Sequence, residues 1–146
     1  MQAEPFSNPD TALNFILAGN ARVTLRSELT NMRYTYRVRA TENTPGDERP
    51  TFFVELLRGR DNERDYVYIG MIKATRFFVT RASRHLKDAA FCKAFDYVYR
   101  HLRAGNLPPH AEVWHESACG RCGRPLTVPS SIATGLGPEC SKRGMN

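Results

Sequence analysis

Two hydrophobic periods divide the chain. Between residues 11 and 17, Leu13, Ile16 and Leu17 fall at i, i+3 and i+4, the spacing of one helix face. Asp10 or Thr11 can cap this helix, and Gly19 can end it. The period then drops to two. In ARVTLRS, Val23 and Leu25 alternate with Arg22, Thr24 and Arg26. In RYTYRVRA, Tyr34, Tyr36 and Val38 alternate with Arg33, Thr35, Arg37 and Arg39. Both segments read as half-buried strands. SELTNM joins them as a hairpin link, with Asn31 its best turn residue.

After the polar loop ATENTPGDERP, TFFVELLR is a strand with apolar residues on both faces, which places it centrally. DYVYIGMIK and RFFVT add two more, giving an antiparallel meander of about five strands. From Ser83 or Asp88 to Arg103 the period is helical again. Leu86, Phe91, Phe95, Val98 and Leu102 form the stripe, with Ala90 and Ala94 beside it, and Gly105 suits the C-terminal cap. NLPPH is a linker, and AEVWH reads as a short strand before a cysteine-rich end. The expected fold is α+β. An antiparallel sheet packs on one main helix over residues 1–108, and a treble-clef-like zinc-knuckle module occupies 109–146.

That end carries the clearest chemistry. His115-x3-Cys119-x2-Cys122-x17-Cys140 supplies three thiols and an imidazole. Structural zinc takes four such ligands in a tetrahedron. Gly120 and Gly123 let the Cys-x2-Cys turn aim its amides at the sulfurs, and Pro138 suits the first turn of a short helix bearing Cys140. The expected ligands of one Zn2+ are Cys119, Cys122 and Cys140, with His115 nearest as the fourth; His110 and Cys92 are the alternatives. Cys92 sits beside Phe91 in the main helix, where a buried thiol is the commoner outcome. Free thiols would be the plain alternative for the trio. A catalytic zinc would need an open coordination position and a carboxylate such as Glu116 or Glu139, but three thiolates and a histidine form a closed set.

CGRCGRPLTVPSSIATGLGPEC resembles the knuckle of a small uncharacterised zinc-binding family widespread in phages and other mobile elements. The positions on that pattern are Cys119, Cys122, Gly123, Arg124, Leu126, Ser131, Ile132, Gly135, Gly137, Pro138 and Cys140. FILAGNARVTLRS and RYTYRVRA resemble, more loosely, the region preceding the knuckle in some members. The resemblance implies metal binding and a phage-like origin; it implies no activity.

Charge alters the picture next. The net charge is +6, and residues 1–73 are balanced at ten basic and ten acidic. The excess lies in residues 74–146, with eleven basic and five acidic. Arginine dominates, and its planar fork suits phosphate, although a GC-rich genome also inflates arginine. Strand alternation puts Arg22, Arg26, Arg33, Arg37 and Arg39 on one face of the first hairpin, with Arg121, Arg124, Lys142 and Arg143 around the cysteine module. Such a surface suits a phosphate backbone, DNA or RNA. Tyr66, Tyr68 and Trp114 offer rings for unpaired bases. The bland reading is a solvated strand face. The rival function is a phage inhibitor that occupies a host protein complex, such as a nucleic-acid-handling defence system. An exposed aliphatic patch from Leu56, Leu57, Ile69 and Met71 would favour it.

No apolar run is long enough to span a bilayer, and MQAEPFSNPD lacks the basic and apolar parts of a signal peptide. A cytoplasmic location is therefore expected, where thiols stay reduced. His85, His101 and His110 stand without a paired nucleophile, and no phosphate-cradling glycine loop occurs. No enzyme activity and no small-molecule substrate are expected.

Overall fold

A computed structural model describes residues 5–41, 50–61, 64–115 and 134–136. Helix α1 spans Pro9–Ile16, followed by strands β1 (Asn20–Ser27), β2 (Arg33–Ala40), β3 (Thr51–Leu57), β4 (Tyr66–Lys73) and β5 (Arg76–Phe78). A 3-10 stretch (Arg81–Leu86) leads to helix α2 (Ala90–Arg103), and strand β6 (Ala111–His115) follows. The strands form one antiparallel sheet in the order β5-β4-β3-β2-β1-β6. Five consecutive strands make the expected meander. The sixth corrects the expected count, because AEVWH pairs with β1, matching Leu25 to Val113 and Val23 to His115. The residues before the cysteines are thus the sheet's own edge.

Period two decides which side chains enter the core. Val23, Leu25, Tyr36, Val38, Val54, Leu56, Ile72 and Val113 point to the helix-covered face and are buried. Tyr36 anchors α2 there. Its ring meets Phe95 at 5.1 Å, and its hydroxyl donates to the Phe91 carbonyl at 2.6 Å. Helix α2 buries Cys92, Phe95, Val98, Tyr99 and Leu102, close to the expected stripe, with Phe91 at its margin. It begins at Ala90, later than Ser83. The Ser83 hydroxyl instead donates to the Ile69 carbonyl at 2.8 Å, tying the 3-10 stretch to β4. Gly105 follows the α2 C-cap at φ 84°, as its position implied.

Helix α1 is capped by Asn8, not by Asp10 or Thr11. The Asn8 side chain accepts from the amides of both, and Pro9 fills the first helical position. Its buried residues are Ala12, Phe15 and Ile16, so Phe15, absent from the expected face, becomes its main core contact. Among the described residues no helix is long and apolar enough to cross a membrane.

Residues 134–136 lie on α1. Leu136 is buried, and Gly135 has φ 74° with its backbone against the Phe15 ring, where a Cβ would overlap ring atoms. Gly135→Ala is therefore expected to lower stability by about 1–3 kcal/mol, through the left-handed backbone and the overpacked ring together. Chemical denaturation of the full chain measures this; an unchanged midpoint would remove residues 134–136 from the α1 surface.

Candidate functional site

The sheet face opposite both helices gathers the arginines. Cross-strand register sets them in rows. Asn20, Arg39, Phe53, Met71 and Phe78 form one row. Arg22, Arg37, Glu55 and Tyr68 form the next. Trp114, Thr24 and Thr35 follow, and then Glu112, Arg26 and Arg33. Thr24 and Thr35 link their hydroxyls at 2.7 Å across the hairpin. All five arginines expected on one face are on it, and so are Tyr66, Tyr68 and Trp114.

Such crowding of like charge needs internal compensation, and two carboxylates supply it. Glu55 accepts from Arg37 Nε at 2.8 Å and from Arg39 Nε at 2.9 Å. Its side chain is only 9% exposed, whereas that of Arg39 is 44% exposed. Burial by itself would raise the Glu55 carboxyl, but the hydrogen bonds from Arg37 and Arg39 outweigh it and hold the group below the usual carboxylate range. The two guanidinium groups also lie over rings, Arg37 over Tyr66 at 4.4 Å and Arg39 over Phe53 at 5.3 Å. At the β6 edge, Arg26 pairs with Glu112 at 2.7 Å and donates from Nε to Asn31 Oδ1 at 2.8 Å. The Arg26 hydrogen bond lowers the Glu112 carboxyl below its ordinary value. Asn31 holds its turn at φ 59°.

Arg33 is exposed, and the Arg22 Nε is buried with no hydrogen-bond partner among the described residues. Strands β1 and β2 therefore bring five guanidinium groups to the face against the carboxylates of Glu55 and Glu112 among the described residues, and the Thr51–Lys73–Arg76 row adds further cations at its far side. Trp114, Thr24, Arg26, Arg33 and His115 line a concavity of about 190 Å³ at the β1–β6 edge. Trp114 is pinned beside it by an indole N–H donated to Glu112 Oε1 at 3.3 Å.

Glu55, Glu112 and Phe53 were absent from the residues expected here. Glu55 had a signal of its own, as the lone carboxylate in the apolar run TFFVELL, because a charge in such a strand must find a partner. The expected aliphatic patch does not form as a unit. Leu56 and Ile69 are buried under the helices, while Met71 sits in the open-face row with Arg39. A separate apolar groove of about 570 Å³ lies between the β1–β2 turn and α2. Leu29, Met32, Tyr97 and Lys93 are among its lining, and Leu29 is 75% exposed.

Of the expected zinc ligands, Cys119, Cys122 and Cys140 lie outside the described residues, as do Arg121, Arg124, Lys142 and Arg143. Among the described residues no group of three or more metal-binding side chains occurs. His115 is described. It ends β6, is buried, and its ring packs 5.6 Å from that of Phe6 and 5.7 Å from that of Phe15. Phe15 is also the ring that Gly135 abuts. Gly135, five residues before Cys140, thus meets the same ring as His115, four residues before Cys119. Cys92 is a free thiol buried in α2, and burial pushes it up, away from the thiolate a metal requires.

A family of unknown function (DUF6011) matches residues 109–143. The matched span holds β6, His115 and the three cysteines that follow it. No curated protein and no solved structure matches the chain.

Proposed function

We propose that this chain is a zinc-stabilised nucleic-acid-binding accessory protein of phage or mobile-element type, acting by binding rather than catalysis. One observation carries the reading: five arginines share one sheet face, beside Phe53, Tyr66, Tyr68 and Trp114. A phosphate chain crossing β1 and β2 meets guanidinium groups whose planar forks match its oxygens. Displacement of counterions then drives association. The buried carboxylate of Glu55 holds Arg37 and Arg39 in place before a ligand arrives. The phage-type origin rests on the resemblance of the knuckle alone.

Zinc would be held by His115, Cys119, Cys122 and Cys140 in a C-terminal zinc-knuckle module. Its contribution is structural, since metal-binding energy becomes folding energy in such modules. His115 would couple the metal to β6, and so to the edge of the arginine face. Arg121, Arg124, Lys142 and Arg143 would add positive charge to the same ligand.

The test is a salt-titrated binding assay with the zinc-loaded protein and single- and double-stranded DNA and RNA. The logarithm of affinity is expected to fall linearly with the logarithm of salt, with a slope near −0.9 for each duplex phosphate contacted and about −0.7 for each single-strand one. No binding at low salt would end the nucleic-acid reading.

The apolar groove beside Leu29 and Met32 favours a second reading, an inhibitor docked on a host protein complex. Lys93 and Arg26 on the groove lining would select an apolar segment flanked by acidic residues. Such binding would respond to salt less steeply than binding to a phosphate chain.

A further inference from the structure

The sheet face does more than concentrate charge. Its rows place these arginines on the neighbouring strands β1 and β2, with rings on the strands to either side. Trp114 stands on β6, directly across from Thr24. Phe53 stands on β3 across from Arg39, with Tyr66 and Tyr68 beyond it on β4. Phe53 and Tyr68 meet edge to face, with centroids 5.6 Å apart. With strands about 4.8 Å apart, Trp114 and the Phe53 strand are separated by about 14 Å of basic surface.

We infer that this face binds single-stranded nucleic acid in preference to duplex, seating the phosphates on Arg22, Arg33, Arg37 and Arg39 and stacking bases on Trp114 at one border and on the Tyr66–Tyr68 pair at the other. The inference rests on the nucleic-acid reading above and names its ligand more narrowly. Two physical arguments carry it. A duplex keeps its bases stacked on each other, so rings flanking a basic band gain nothing from it. A six-stranded sheet is also about 24 Å wide, and the major groove of about 12 Å admits only a helix or a two-stranded ribbon. An open strand can lay its backbone along the guanidinium groups and turn bases toward the rings on both sides. The concavity walled by Trp114, Arg26 and Arg33 is the place for one such base with its phosphate. Arg37 over Tyr66 and Arg39 over Phe53 brace the rings on the other border.

The experiment measures binding of the full zinc-loaded chain to one mixed-sequence oligonucleotide, as single strand and as duplex, in DNA and RNA forms. Single strands are expected to bind at least about tenfold tighter than duplexes. Trp114→Ala, and separately Tyr66→Ala with Tyr68→Ala, are each expected to weaken single-strand binding about fivefold or more, the usual loss of a stacked base. The salt slope should not change, because no phosphate contact is removed. Trp114→Phe keeps a ring and should keep most of the affinity, which separates stacking from a folding defect at the edge strand. Duplex binding equal to single-strand binding, or ring variants that bind like wild type, would overturn this inference and leave the arginine reading standing. Failure of all four probes at low salt would overturn both.

Discussion

Cys122→Ser is expected to abolish stoichiometric zinc binding and to loosen the C-terminal part of the chain. The expected loss is large, because structural zinc contributes on the order of 10 kcal/mol to small modules that bind it. Its reach depends on two contacts. Strand β6 belongs to the sheet and ends at His115, and residues 134–136 lie on Phe15. Release of the metal should therefore unseat Leu136 and unpack the Phe6–Phe15–His115 ring cluster, while α2 and the meander remain. Metal content by atomic emission and hydrogen exchange read the two effects separately. Full zinc content with unchanged melting would refute the ligand assignment. His115→Phe tests the fourth ligand, since it keeps an aromatic ring among Phe6 and Phe15 while deleting the donor nitrogen. Zinc retained in His115→Phe but lost in Cys122→Ser would move the fourth ligand to another residue. Cys92→Ser, in a buried site within α2, should leave zinc content untouched.

Local periodicity made the hairpin legible. RVTLR and RYTYRVR alternate so regularly that both the buried set and the arginine face follow from pleat geometry. The same logic placed Tyr66 and Tyr68 together. Long-range pairing was less legible. Nothing local to AEVWH says that it docks on β1, because the partner lies some ninety residues earlier and pairing is a property of the folded sheet. The ion pairs failed to show for the same reason. Arg37 and Glu55 meet only because β2 and β3 adopt a particular register. At α1 the signal was present: Asn8 before Pro9 is a cap followed by a proline at the first helical position. For the zinc ligands, only His115 lies among the described residues, so their grouping stands on sequence spacing alone.

Glu55→Gln is expected to move stability and binding in opposite directions. Glu55 is buried and receives hydrogen bonds from two guanidinium groups. Gln keeps the shape and one acceptor oxygen but loses the charge, leaving Arg37 and Arg39 facing each other uncompensated. Hydrogen bonds to a charged group contribute about 1.5–3 kcal/mol, and most of one such contribution should be lost at neutral pH. The pH profile shows the cause. The folded-state carboxyl lies below its unfolded value, so its stabilisation is complete above the unfolded carboxylate range and fades as pH falls through the folded value. Wild type should therefore lose stability on acidification below about pH 4.5, and Glu55→Gln should lose less over that interval, so the two converge at low pH. Binding should run the other way. Without the carboxylate, the charge that Arg37 and Arg39 present to phosphate is no longer partly neutralised, so affinity at low salt should rise and the salt slope should steepen by at most about one charge. A variant that is less stable yet binds nucleic acid more tightly is hard to explain unless Arg37 and Arg39 touch the ligand. Reduced stability with unchanged affinity would leave the Glu55 cluster as a brace of the sheet and move the phosphate path toward Arg22, Arg26 and Arg33.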